Sequence, residues 1–167
     1  SYLIKAILER EGRVPGLIGT VEHLIRDRVI PASRTTPESP ELQAMMDQMV
    51  ESGCSSVVME VSSHALDQYR VHCIEYDVAV FTNLSQDHLD YHETMDQYFQ
   101  AKSRLFSQLK KDKGVAVINL DDPYGRKLVA DLPVAGVVTY GESVDAMVRA
   151  KNIVLDDEGL RFVLVSP

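Results

Sequence analysis

The stretch from Met59 to Lys102 concentrates the residue types that do chemistry. It reads MEVSSHALDQYR, then DVAVFTNL, SQDHLDYH and DQYFQAKSRLF. Glu60 follows Val57, Val58 and Met59, which puts a carboxylate at or near the carboxyl end of an apolar strand. A carboxylate there must face a cation, a cluster of donors or solvent. It either meets a functional cation or accepts hydrogen bonds from the start of the following helix. After a second apolar run come Asp87, His88, Asp90 and His92, in the kind of polar loop where open α/β sheets hold ligands. A lone loop histidine is usually a surface group; the acids beside His88 set it apart. Lys102 stands among Phe99, Ala101, Leu105 and Phe106 on a helical pattern. Apolar surroundings lower an amine's pKa and make it nucleophilic, although a helix lysine more often snorkels to water.

A second group consists of Thr35, Thr36, Ser62, Gln68 and Arg70. Two hydroxyls ahead of a helix start can bind phosphate or carboxylate, or cap the helix. Arg70 offers a fork for an anion or for a surface ion pair. Asn119 and Asp121, with Asp122, sit in INLDD at the end of another apolar run, where a turn is the commonest outcome.

The elements that must position these groups follow from periodicity and punctuation. Leu3, Ile4, Ile7 and Leu8 recur at helical spacing over Ser1 to Glu11, and Gly12 supplies a stop. LIGT suits a short strand, while Val21 to Arg34 reads equally as strand or helix. Ser39, Pro40 and Glu41 open a helix that runs to Glu51 and ends at Gly53. SSVVMEV, DVAVFTNL, VAVINL and VAGVVTYG are continuous apolar runs, which predicts a mostly parallel sheet with helices on both faces. SSVVMEV and DVAVFTNL are expected to be neighbouring strands, so that Glu60, His88 and Lys102 meet in one cleft. Helices fit Ser63 to Tyr69 and Met95 to Leu109, with a shorter one over GRKLVADL. MVRAKNIVL and LRFVLVSP, around Asp157, Glu158 and Gly159, predict a C-terminal β-hairpin.

Three strings carry a resemblance to the Mur ligases, the ATP-dependent amino-acid-adding enzymes of bacterial cell-wall (peptidoglycan) synthesis. They are TTPESPELQ from Thr35, MEVSSHALDQYR from Met59, and FTNLSQDHLDYH from Phe81 leading to YFQAK. The DH-x-D element is common to the wider family, which includes folylpolyglutamate and cyanophycin synthetases. MEVSSHAL is closest to the branch that adds the third residue of the stem peptide. The resemblance implies an α/β central ATP-binding domain over 1–167. The implied reaction joins meso-diaminopimelate or L-lysine to UDP-MurNAc-L-Ala-D-Glu through an acyl phosphate, with ATP as co-substrate and Mg²⁺ as cofactor. It assigns Glu60, His88 and a carbamylated Lys102 to metal. Thr35, Thr36, Ser62, Gln68 and Arg70 go to the UDP-muramoyl-dipeptide, and Asn119 and Asp121 to the nucleotide. The family's glycine-rich phosphate loop precedes a helix like SYLIKAILEREG, and no G-x-x-x-x-G-K-[ST] string occurs in the chain. The expectation is a fragment that needs its N- and C-terminal domains and is inactive alone. A related carboxylate–amine ligase and a noncatalytic nucleotide- or metal-binding domain remain as alternatives.

Composition bounds the rest. With 167 residues and 45% hydrophobic content the chain is long enough for one domain with a core. A net charge of −8 argues against nonspecific binding to nucleic acid or an anionic membrane. No apolar run has the length of a membrane helix and no signal peptide is visible, so a cytoplasmic location is expected. Cys54 and Cys73 form no CxxC pattern and are expected to be small buried hydrophobes.

Overall fold

The computed structural model describes residues 1–86, 89–132, 136–157 and 159–167. The chain is α/β and divides into two compact units, Ser1–Cys73 and Ile74–Pro167. Each unit carries its own sheet.

In the first unit, α1 (Tyr2–Arg10) leads into β1 (Pro15–Ile18), β2 (Glu22–Ile25) and β3 (Arg28–Pro31); α2 (Ser39–Glu51), β4 (Ser56–Met59) and α3 (Ser63–Asp67) follow. The sheet order is β3-β2-β1-β4. β1 pairs in parallel with β4, Ile18 opposite Met59, and antiparallel with β2. The ambiguous Val21 to Arg34 segment is thus a β-hairpin, β2 against β3, turned at Arg26 with φ 53°. α2 ends as its sequence predicts: Gly53 adopts φ +77°, and the amides of Gly53 and Cys54 bond to the carbonyls of Val50 and Met49. This closure meets the last carbonyls of the helix and needs a residue that tolerates the left-handed region. Leu42, Met45 and Met49 on α2 are buried along with Leu17 and Ile18 of β1. Each such side chain contributes roughly 1.5–3 kcal/mol of burial.

The second unit holds β5 (Val78–Phe81), α4 (Leu89–His92), α5 (Met95–Ser103) with a 3₁₀ extension (Arg104–Gln108), β6 (Val115–Asn119), α6 (Pro123–Asp131), β7 (Gly136–Gly141), β8 (Val148–Asp156) and β9 (Gly159–Val165). Its order is β5-β6-β7-β8-β9, parallel except for the terminal hairpin. Ala79, Phe81, Ala116 and Ile118 form one apolar cluster with Tyr98, Phe99, Phe106 and Leu128.

Three expectations change. Among the described residues β4 belongs to the sheet of the first unit, bonded to β1, and β5 to that of the second, bonded to β6. Apolar content alone does not distinguish one long sheet from two short ones. The alternate residues Val78 and Val80 of β5 are exposed, so its continuous apolar run reflects one packed face in this chain. Cys73 is exposed, at φ 70° in a turn, and Cys54 is half-buried.

Candidate functional site

The first unit gathers a hydrogen-bonded polar cradle around Glu60. The parallel pairing carries β1 and β4 to the same end, and the Glu60 amide donates to the Ile18 carbonyl at 2.9 Å. Thr20, two residues beyond β1, therefore comes level with the Glu60 side chain. Oε2 of Glu60 accepts from the Thr20 amide at 3.2 Å and the Thr20 hydroxyl at 2.6 Å. Oε1 accepts from the Ser1 hydroxyl at 2.5 Å. The Glu60 side chain remains 39% exposed. Burial works against its charged form, and the bonds from Ser1 and Thr20 outweigh that, holding its pKa below the ordinary glutamate value. The donors at Glu60 are these residues and not the following helix, whose N-terminus is capped by Ser62 accepting from the Ala65 amide.

The residues predicted for the acceptor adjoin this cradle in the same unit. Thr35 Oγ1 lies 3.2 Å from Thr20 Oγ1. Thr36 is buried; its hydroxyl donates to the Glu60 carbonyl at 2.9 Å and accepts from the Ser62 amide at 3.0 Å. Thr36 thus ties the chain before α2 to the end of β4 and does not cap α2, whose N-cap is Glu38. One Arg70 guanidinium nitrogen donates to the Thr36 carbonyl at 3.2 Å; the other reaches Glu38 at 3.3 Å and bonds closely to Gln68 Oε1. Arg70 Nε is buried without a partner, the kind of unmet donor an anion satisfies.

In the second unit Lys102 is half-buried in the last turn of α5, its Nζ 5.4 Å from the centre of the Tyr98 ring. The buried His92 ring stacks on Tyr98 at 5.1 Å. Asn119 is committed at both ends: Nδ2 donates to the Thr82 carbonyl and Oδ1 accepts from the Asp121 amide, each at 2.9 Å. Asp121 accepts from the amides of Glu142 and Ser143 at 2.7 and 3.0 Å, closing the turn after β7. Asp122 caps α6 through the Tyr124 and Gly125 amides and also takes the Leu84 amide at 2.9 Å. The INLDD turn therefore organises three strand ends, and any contact to a nucleotide uses the remaining lone pairs. His88 lies outside the described residues.

Among the described residues no group of three or more His, Cys, Asp or Glu is gathered for a metal ion. Mg²⁺ does not require one: it usually takes one or two carboxylates and fills its octahedron with water and substrate phosphates. A half-exposed, ionised Glu60 fits that demand.

Sequence reasoning identified the acid but missed its orienting partner. Thr20 stood in LIGT, read only as a strand; its signal was a hydroxyl just past a strand end, where ligands collect.

Over residues 1–167 the chain matches the family described as the Mur ligase middle domain. It is 48% identical over 172 aligned residues to a UDP-N-acetylmuramoyl-L-alanyl-D-glutamate–2,6-diaminopimelate ligase of Geobacter sulfurreducens, covering 100% of this chain and 34% of that protein. It is 47% identical to the ligase of the same name from Bacillus licheniformis, covering 100% of this chain and 35% of the relative. Among solved structures it is similar to a ligase of that name, with TM-score 0.83 and 30% identity over 99% of this chain and 34% of the other. It also shares its fold with MurF from Acinetobacter baumannii, with TM-score 0.75 and 20% identity over 99% of this chain and 33% of that one. The chain thus spans about a third of the length of these relatives.

Proposed function

This chain belongs to the Mur ligase middle-domain family, and on that premise we propose that the polypeptide carrying it joins diaminopimelate to UDP-MurNAc-L-Ala-D-Glu at the expense of ATP. The observation that carries this reading is the 48% identity to a ligase of that name across the whole chain. The cradle of Glu60, Thr36 and Ser62, which joins the TTPESPELQ and MEVSSHAL strings, supports it.

In this reading the D-glutamyl γ-carboxylate attacks the γ-phosphorus of ATP and ADP departs. The amine nitrogen of the diamino acid then attacks the acyl carbon, phosphate leaves and the amine proton goes to solvent. Such chemistry depends on positioning and charge neutralisation more than on a protein nucleophile. Mg²⁺, when bound, supplies neutralisation of phosphate charge. Glu60 would offer one ion an oriented carboxylate, and the family resemblance gives a second ion to His88 and Lys102. Lys102 reaches that role as a carbamate: its neutral amine adds to CO₂ and loses a proton, turning a cation into an oxygen anion. Thr35, Thr36, Ser62, Gln68 and Arg70 hold the acceptor, with the open donor of Arg70 directed to an anionic group. Asn119 and Asp121 shape the nucleotide end. Nucleotide-sugar and ATP substrates agree with work in the cytoplasm; among the described residues no helix is long and apolar enough to cross a membrane.

The test is ligation by the purified full-length polypeptide carrying this chain, with ATP, Mg²⁺, UDP-MurNAc-L-Ala-D-Glu and either meso-diaminopimelate or L-lysine. Phosphate release and product mass are followed. The expected result is the tripeptide product with diaminopimelate. ATP turnover only with a folate or another acceptor would replace the substrate; no turnover with any carboxylate–amine pair would remove the ligase reading.

A further inference from the structure

We propose that Thr20 is a positioning residue that links the metal carboxylate of Glu60 to the acceptor hydroxyl of Thr35, so that a cation at one strengthens binding at the other. This rests on the roles given above to Glu60 and Thr35 and adds a residue that neither motif contains.

The direction of the link follows from counting protons. A threonine hydroxyl has one proton and two lone pairs. The Thr20 hydroxyl proton is directed at Glu60 Oε2, an ionised acceptor 2.6 Å away. At the 3.2 Å contact with Thr35, Thr20 must therefore accept and Thr35 must donate. The result is a one-way relay, Thr35 to Thr20 to Glu60, in which the carboxylate charge polarises Thr20 and strengthens its pull on the Thr35 proton. With Glu60 free, the Thr35 donor is turned toward Thr20. A cation at Glu60 draws on the same carboxylate charge, weakens the relay, and releases the Thr35 proton to an anionic acceptor. By linkage the acceptor then strengthens the cation by the same factor.

Backbone amides fix Thr20 and Glu60 without help from the ligand. Thr20 is held by its own amide bond to Oε2 at 3.2 Å, and Glu60 by the bond from its amide to Ile18. Removing the Thr20 hydroxyl leaves that amide bond in place, so the variant tests the relay and not the strand end. Thr20 is exposed, which makes its side chain dispensable for the core.

The experiment measures affinity of the full-length polypeptide for UDP-MurNAc-L-Ala-D-Glu by calorimetry, without nucleotide, with and without Mg²⁺ alone. Wild type is expected to bind the acceptor about fivefold or more tightly when Mg²⁺ is present, at the low end of typical coupling between sites. Thr20→Ser keeps the hydroxyl and retains that ratio; Thr20→Val loses it and brings the ratio near one. If Thr20→Val does not fold, Thr35→Val breaks the same relay from its other end. A ratio near one in wild type, or a wild-type ratio in Thr20→Val, overturns the proposal. Glu60→Gln separates the two levels: if it loses the ratio while Thr20→Val keeps it, the Thr20 link is wrong and the metal role of Glu60 stands. If Glu60→Gln keeps the wild-type ratio as well, the metal role of Glu60 falls with the link.

Discussion

Replacing Gly125 with alanine tests how closely α6 is seated on the end of β6. A Cβ at Gly125 would lie 1.9 Å from the Asn119 carbonyl oxygen, 3.1 Å from its carbonyl carbon and 3.3 Å from Ile118 Cγ2. Close C···O contacts in proteins run at about 3.3–3.6 Å, so the start of α6 must lift by more than about 1 Å. The nearest atom is backbone in a paired strand and cannot swing aside. The lift stretches the bonds from the Tyr124 and Gly125 amides to Asp122, now 2.8 and 3.3 Å. Overpacking costs about 1–3 kcal/mol and loss of the cap about 1 kcal/mol, against a gain of about 1 kcal/mol for alanine over glycine in a helix. The net expectation is destabilisation by about 1–3 kcal/mol, or a fall in Tm of about 4–24 °C for a unit of this size. Thermal unfolding of the full-length polypeptide measures it, and hydrogen exchange at the Leu84 and Tyr124 amides locates it. A Tm at or above wild type, with those amides still protected, would refute the reasoning.

Lys102→Ala is expected to abolish ligation, with partial recovery on adding formate or acetate, because a small acid can supply the oxygen ligands of the missing carbamate; full activity in the variant removes Lys102 from the mechanism. His23 is 3% exposed with an unpartnered Nδ1, and burial, opposed by nearby Glu41, lowers its pKa from the ordinary histidine value. The unfolded chain therefore binds the proton more readily, and stability present above the unfolded histidine pKa declines as pH falls through it. Melting between about pH 7.5 and 5.5 should show less pH dependence in His23→Leu than in wild type, and identical slopes would exclude His23 as the source.

Local chemistry was legible in the sequence wherever it was punctuated. Pro40 and Gly53 bracket α2 because one lacks a donor the helix start does not need and the other accepts a conformation that side chains resist. The β2–β3 hairpin escaped notice because Arg26, and no glycine or asparagine, takes the positive φ at its turn. The Met95 to Leu109 helix was placed correctly at its start, where Thr94 caps it, but its tail tightens into a 3₁₀ turn. At the site, residue types announced Glu60, Thr36 and Arg70, while their partners depended on register. Only once Ile18 faces Met59 does Thr20 meet Glu60. Asn119 and Asp121 lay where expected, with side chains occupied by the turn they form.

The parallel register of β1 with β4 has a kinetic consequence. Between these strands lie the β2–β3 hairpin and α2, both of which close on local contacts. Pairing β1 with β4 closes a much longer loop, and that entropy is spent before any distant contact repays it. Thr20 and Glu60 come together only at that closure, so the cradle cannot form before β1 pairs with β4. Protection of the Glu60 amide, bonded to Ile18, therefore serves as a clock for the moment the cradle appears.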